Sequence, residues 1–555
     1  MRPNPNVLFV NLPTIPFDEV MASLAARQRI PQRIALPMGL LYISAYLKAH
    51  APVGQVGMID YIFGMKSLDP YETLDQFITR TALRSVPFSP DIIAFSLIFS
   101  TSHRIFIETL ERLKALWPRA VTIVGGTHAT AVTPHLLKET AVDFVLRGEG
   151  EIGFSEFVNR FQTGQSLAIK GIYSRATVDS QDNLETASSP DDLDSLPFPD
   201  WDLVDMEAYA SQVGSQREFG DGPRKKVATI VTTRGCPGRC TFCAAHLVHG
   251  RKVRYRSVDN VIREVRMLNE RFGITLFIPE DDMFTVPKHR FLNLMSALRQ
   301  LEIPGFEMQN QDGLSVNTLD SEVLDAMLAC GVRLFNLAVE SGSSYVQREV
   351  IHKNVQLDRV KKIVDYLRSK ECIVRCYFIL GFFGETRAQM METIKFARSL
   401  QADWCLFSIA TPLAGTVMYE QMRSAGYIQD SLDLWENAAF GRRGFDTPEI
   451  SASELEELAY RANLEINFIA NVNLVTGNYA KALGIYSDVV RVYPFHIVAW
   501  YCIMKCHQGM GAGEQVESTH QHLCRLIATD DRAARMYERY RFLIPDFNPE
   551  SSYAN

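Results

Sequence analysis

Three cysteines, Cys236, Cys240 and Cys243, stand within eight residues in a C-x3-C-x2-C spacing. Thiolates this close on one loop point to a metal. They can take three irons of a cubane and leave the fourth without a protein ligand, unlike the four-cysteine sites of electron-transfer proteins. Such an open iron can chelate the amino and carboxylate groups of a small molecule. Gly235 and Gly238 would let the loop curl closely round a cluster. Two other readings stand beside this one: a Cys3His zinc site completed by His246, and three unligated thiols. The other seven of the ten cysteines are scattered, as buried thiols are, and do not form a dense disulfide scaffold.

The loop needs a frame to hold it. Residues 226 to about 420 alternate apolar runs with helical stretches. The strand candidates are Val227–Thr233, Ile274–Pro279, Phe306–Gln311, Arg333–Val339, Ile373–Leu380 and Trp404–Ala410. Helix boundaries are marked by Ser257, Gly273 and Gly331. Six strands, each followed by a helix, predict a partial parallel barrel, whose site lies at the C-terminal strand ends. The cysteine loop follows the first strand. Later strand ends are polar as well: Glu280-Asp281-Asp282, then Gln309, Gln311 and Asp312, then Glu340-Ser341-Gly342, then Gly381 to Thr386, then Thr411 to Thr416. One such junction is a helix cap; five in succession at one face favour a polar ligand. On strand five, alternation sets Arg375 and Tyr377 opposite Cys376, read as a buried thiol.

Upstream, Val7–Asn11, Val56–Asp60, Asp91–Ser96, Ala120–Val124 and Val142–Leu146 are separated by helical patterns such as Met38–Ala49 and His103–Leu116. They predict a doubly wound, flavodoxin-like domain. Turn signals dominate residues 176–225, read as a connection draped on the surface. Downstream, Leu455–Val475, Tyr479–Val492 and Ile497–Met510 read as helices, with a tetratricopeptide-like hairpin from Gly477 to Pro494. The expected α/β division is residues 1–175, linker 176–225, partial (β/α)6 barrel 226–440, and helical domain 441–555.

Cys236, Cys240 and Cys243, with Phe242 before the last, resemble the signature of the radical S-adenosylmethionine (SAM) superfamily. The segments around Gly39, Asp60, Ser96, Gly125-Gly126 and Arg147 to Glu151 resemble the cobalamin-binding domain found in one branch of it. The resemblance spans about residues 5 to 420. It implies three cofactors: a [4Fe–4S] cluster, SAM and cobalamin. By the same resemblance Asp281 lies near the SAM amino group, with Glu280 as its competitor. Glu340 lies near the ribose or carboxylate, and Gly381 and Phe242 beside the adenine. Ser96, Gly125 and Gly126 surround the cobalamin tail. One departure stands out. The D-x-H-x-x-G motif that supplies a lower cobalt ligand is replaced by Asn11-Leu12-Pro13-Thr14-Ile15-Pro16. His103 and His128 are the nearest substitutes, but both read better as structural, so cobalt is expected to carry no histidine.

The implied activity is methyl transfer from methylcobalamin to an unactivated carbon or phosphorus centre of a small molecule, driven by reductive cleavage of SAM. The alternatives are oxidative cyclisation or ring rearrangement with the same cofactors, and a non-catalytic cobalamin or redox sensor. No further catalytic residue is named. An external flavodoxin- or ferredoxin-type electron donor is implied, and the C-terminal helices are candidates for binding a carrier or partner protein. A net charge of −7 gives no sign of nucleic acid as a partner. The absence of a long apolar run excludes a membrane-spanning helix, and a cytoplasmic protein is expected.

Overall fold

Apolar runs too short for helices become the strands of three successive, mainly parallel sheets. The computed structural model describes residues 3–26, 34–65, 72–179, 183–211, 225–310, 313–437 and 441–549. β1 (Val7–Asn11) is buried along its whole length, as a central parallel strand covered on both faces must be. It pairs in parallel with β2 (Val56–Asp60) and β3 (Ile92–Ser96). β4 (Val121–Gly125) and β5 (Phe144–Leu146) continue in parallel, and β6 (Ile172–Ser174) adds an antiparallel edge. The order β2-β1-β3-β4-β5-β6 is the flavodoxin-like winding expected. The winding reverses between β1 and β3, which opens a crevice at their C-terminal ends. Leu40 and Phe154, from helices Met38–His50 and Glu151–Thr163, pack on the face of Phe9 and Ile123. Phe77 and Phe106, from helices Leu74–Ser85 and His103–Leu116, pack on the opposite face.

The second unit begins at β7 (Val227–Ile230). An antiparallel hairpin of β8 (Thr233–Arg234) and β9 (Arg254–Tyr255) follows and encloses the cysteine loop. β10 (Leu276–Pro279) pairs in parallel with both β7 and β11 (Glu307–Met308). β12 (Leu314–Ser315), β13 (Leu334–Glu340), β14 (Ile373–Leu380) and β15 (Trp404–Ile409) form the other parallel sheet, in that order. These are the six expected barrel strands with β12 as an addition. Gln311 and Asp312 lie outside the described residues. β14 alternates half-buried and buried residues, so Cys376 faces the core and Arg375 and Tyr377 the other side.

The segment after residue 176 is not a surface drape. Leu193, Leu196, Trp201, Met206 and Tyr209 are buried in the same core as β7 and β10. Pro190, Pro197 and Pro199 do flank two short turns, Leu193–Ser195 and Trp201–Leu203, but the large apolar residues between and after them bury against the barrel; the Gly220 to Pro223 signal lies outside the described residues. Asp200 accepts hydrogen bonds from Ser44 Oγ and Lys48 Nζ, each 2.6 Å long, which fasten this strap to the first domain.

The helix Ala452–Leu464 and the π-helical turn Glu465–Ile469 lie against β15, with Leu455, Ala459, Ala462 and Ile466 in the barrel core. Asn467 meets the outer edge of β15 as another strand would. Its Oδ1 accepts from Cys405 N and its Nδ2 donates to Cys405 O, both at 2.6 Å. The expected hairpin, Tyr479–Val492 and Ile497–Gly509, is present. Two further helices, Gly513–Thr529 and Asp531–Tyr540, complete a separate core. Among the described residues no helix is long and apolar enough to cross a membrane.

Candidate functional site at the domain junction

The cysteine loop is pinned at both ends and in the middle. Gly235 has φ +92°, and a Cβ there would lie 2.3 Å from Lys252 O, so only glycine fits the turn. Its N–H donates to Asp282 Oδ2 at 2.7 Å, and Cys236 N donates to Gly250 O at 3.2 Å. Thr241 Oγ1 donates to Val350 O at 3.0 Å, and Met418 N donates to Thr241 O at 2.9 Å, which ties the loop across the barrel mouth. A Cβ on Gly238 would lie 3.2 Å from Cys236 Sγ and 3.8 Å from Cys240 Sγ. The missing side chain keeps the space between these two sulfurs open. His246, the alternative zinc ligand, turns its Nδ1 to Cys243 O at 3.1 Å. Among the described residues no three His, Cys, Asp or Glu side chains converge on a single-ion position. A cubane does not need them to, since each thiolate takes its own iron. Burial pushes the Cys240 thiol up to about 11, with Lys353 opposing, so bound iron is what would keep this sulfur as a thiolate.

The polar strand ends gather round this loop in different ways. Asp281 is committed to the loop's root. Its Oδ1 accepts from Thr233 N at 2.8 Å and its Oδ2 from Thr232 Oγ1 at 2.6 Å. Burial pushes its carboxyl up to about 6 against these bonds. Glu340 ends β13 with φ +69°, a left-handed conformation uncommon outside glycine. Phe242 packs on Phe382 with ring centroids 5.3 Å apart, which places it beside the Gly381 turn. Gly381 has φ +82°, and a Cβ there would meet Leu455 Cδ2 at 2.5 Å. Its N–H donates to Glu385 Oε2 at 2.7 Å, and its carbonyl accepts from Arg443 at 3.3 Å. Burial pushes the Glu385 carboxyl up to about 8, although two backbone N–H groups lower it. Sequence reasoning missed Lys353, which reaches Glu340 from a loop where His352 and Asn354 both have positive φ.

In the first domain a cavity of about 290 Å³ opens at the C-terminal ends of the strands, lined by Ser96, Gly125 and Gly126 together. A Cβ on Gly126 would lie 2.6 Å from Leu97 O, so this turn admits only glycine. Arg234 and His249 of the barrel line the same cavity, facing Glu149 and Glu151. His249 Nδ1 lies 2.7 Å from Glu149 Oε1, Arg254 Nη1 donates to Glu149 Oε2 at 3.0 Å, and Arg234 Nη1 lies 2.8 Å from Glu151 Oε1. Burial opposes the charge on Glu149, but the His249 and Arg254 bonds and the Arg234 charge hold its carboxyl down to about 2. This network escaped sequence reasoning because its members are distant in the chain. His103 and His128 are tied to each other instead. His128 Nδ1 lies 3.0 Å from Ser100 Oγ and its Nε2 lies 2.8 Å from His103 Nδ1, so both of its nitrogens are engaged.

A sequence model of the radical SAM superfamily matches residues 230–397, and one of the B12-binding domain matches residues 32–158. This chain belongs to the cobalamin-binding radical SAM family. Both halves of the expectation from sequence are thereby borne out. The protein is similar to cytidylyl-2-hydroxyethylphosphonate methyltransferase of Streptomyces wedmorensis, 27% identical over 471 residues, 78% of this chain and 86% of that one. It is also similar to an anaerobic magnesium-protoporphyrin IX monomethyl ester cyclase of Rubrivivax gelatinosus, 24% identical over 70% of this chain and 66% of the other. Among solved structures its fold is like that of TsrM from Kitasatospora setae, a radical SAM methyltransferase with cobalamin and a [4Fe–4S] cluster bound. The TM-score is 0.56, with 17% identity over 77% of this chain and 79% of that one. The fold of OxsB, a cobalamin-dependent SAM radical enzyme, matches with TM-score 0.63 and 15% identity over 99% of this chain and 85% of that one.

The residues fit the family's cofactors. The sulfurs of Cys236 and Cys240 border a space kept open by Gly238, with Cys243 on the same loop, and the strand-end cavity is bordered by the glycine turn that a Cβ would block.

Proposed function

We propose that this chain is a cobalamin-dependent radical SAM methyltransferase acting on an unactivated carbon or phosphorus centre of a small molecule. One observation carries the reading. The cavity at Gly125-Gly126 shares its wall with Arg234, two residues before Cys236, so the two cofactor sites adjoin. Bound there, the cofactors would supply a carbon-centred radical from SAM and a transferable methyl group. The protein's part is to hold and orient. Cys236, Cys240 and Cys243 would ligate three irons. Phe242 and the Gly381 turn would border the adenine, and Glu340 with Lys353 the polar end of SAM. Asp281 would act through Thr232 and Thr233, fixing where the cluster loop begins, which leaves Glu280 as the acid toward the SAM amino group. Ser96, Gly125 and Gly126 would take the cobalamin tail.

The similarity to the magnesium-protoporphyrin cyclases supports a second reading, oxidative cyclisation with the same cofactors. We also propose the domain division 1–175, 176–225, 226–440 and 441–555, with residues 183–211 of the second segment a packed strap. An external flavodoxin or ferredoxin would supply electrons, and the C-terminal helices would bind a carrier or partner. A cytoplasmic location suits ten free cysteines.

The test is anaerobic reconstitution with iron, sulfide and hydroxocobalamin, followed by metal analysis and 5′-deoxyadenosine formation from SAM under reduction. About four irons per chain, one cobalt, and SAM cleavage lost in Cys240→Ala support the reading. A product heavier by one methyl separates transfer from cyclisation. Zinc in place of iron, with no cleavage, would overturn it.

A further inference from the structure

The walls of the strand-end cavity come from both domains. The loop after β5 supplies Gly148 to Glu151, and the β8–β9 hairpin supplies Arg234 and His249. The polar side chains on both sides are nearly buried: Arg234 is 6% exposed, Glu149 1% and Glu151 4%. Among the described residues, the side chains that meet these two carboxylates, Arg234, His249 and Arg254, all belong to the one hairpin that encloses the cysteines. If that hairpin is displaced, the cavity loses a wall and two buried carboxylates lose their partners, which a low-dielectric site resists strongly. If the hairpin is ordered, both are restored together.

We infer that cluster assembly and binding of the nucleotide tail of cobalamin are thermodynamically linked, through Arg234, Glu149 and Glu151. This rests on the cobalamin reading above. Iron bound at Cys236, Cys240 and Cys243 selects the hairpin arrangement that also closes the cavity, and an occupied cavity favours that arrangement in return. Such coupling is reciprocal, so each cofactor tightens the other's site by the same factor. The corrin ring is expected to take no part in it, because the wall supplied by Arg234 and His249 belongs to the same cavity as Ser96, Gly125 and Gly126, the residues proposed above for the tail.

The test compares two corrinoids on the full chain: hydroxocobalamin, which has a nucleotide tail, and dicyanocobinamide, which lacks it. Affinities are read by absorbance titration for the wild type with its cluster reconstituted and for the same protein after chelator treatment. Hydroxocobalamin is expected to bind at least tenfold more tightly to the cluster-loaded form, a coupling of about 1.4 kcal/mol, with less than a twofold difference for dicyanocobinamide. Arg234→Met should weaken hydroxocobalamin binding to the loaded protein and leave dicyanocobinamide unchanged, with folding checked by circular dichroism. If that variant misfolds, the wild-type comparison still decides. Equal gains for both corrinoids, or none for either, would overturn the linkage. If the loaded wild type binds neither corrinoid, the cobalamin reading itself fails, a result distinguishable from loss of coupling.

Discussion

Lys353 Nζ lies 2.6 Å from Glu340 Oε1, with 13% and 11% of the two side chains exposed. Both ends of this pair are held by unusual backbone. Glu340 has φ +69°, and Lys353 sits between His352 at +54° and Asn354 at +58°. Left-handed residues other than glycine cost about 1–3 kcal/mol each and persist where the surroundings impose them. Here they bring a cation from one loop to a carboxylate at a strand end, beside the cysteine loop. Lys353→Met should leave Glu340 nearly buried without its partner and lower stability by about 3–5 kcal/mol in urea unfolding. Adding Glu340→Gln should recover at least half of that loss, while SAM binding by calorimetry stays absent from single and double variants alike. A single variant as stable as the wild type would mean that the pair does not hold this corner.

Gly235→Ala tests the turn into the cluster loop. The new Cβ would stand 2.3 Å from Lys252 O at φ +92°, so the hairpin must shift. Iron after reconstitution should fall to less than about a quarter of wild type while the far-ultraviolet spectrum is kept, since the strain is local. Full iron loading would show that the loop tolerates a side chain there.

Glu385 gives a pH signature. Burial raises its folded carboxyl to about 8, above the unfolded value near 4.5. The folded state therefore holds this proton more tightly than the unfolded chain does. Its contribution to stability is full below about 4.5 and is lost as pH rises to about 8, by at most about 1.4 kcal/mol per pH unit. Glu385→Gln keeps an acceptor for Gly381 N and carries no charge. The dependence of melting temperature on pH between 5 and 8 should be flatter in the variant. Parallel profiles would refute the assignment.

His128 has both nitrogens engaged within the protein. Neither His128→Asn nor His103→Asn should alter the electron paramagnetic resonance spectrum of bound cob(II)alamin, which should carry no nitrogen splitting from protein. Loss of such splitting in either variant would make that residue an axial ligand.

The cysteine loop and the strands were legible because spacing and period are local properties of a chain. The C-x3-C-x2-C loop and the Gly125-Gly126 turn needed no knowledge of tertiary contacts. Lys353 carried no signal, because what brings it to Glu340 is a pair of left-handed residues that sequence does not announce. Arg234, Glu149 and Glu151 were invisible for a different reason: a buried ionic network between domains is defined by partners far apart in the chain. Asp281 and Asp282 stand side by side and read alike, yet Asp281 takes Thr232 and Thr233 while Asp282 takes Gly235 N. Trp201 and its neighbours were misjudged because turn residues dominate that segment in number while a few large apolar side chains decide where it goes.

The outer edge of β15 bears on how this protein can be cut or recombined. A partial barrel leaves a strand with exposed backbone donors and acceptors, and such an edge recruits strands from other molecules. Here the Asn467 amide meets Cys405 on both sides and Asn471 reaches Asp403 O, so the edge is closed by two asparagines, one in the π-helical turn Glu465–Ile469 and one just after it. The C-terminal region is thus a stopper for the sheet, whatever else it binds. A chain ended near residue 450 would keep every cofactor residue discussed above and still be expected to polymerise through β15, so the catalytic barrel and its helical tail form one inheritable unit.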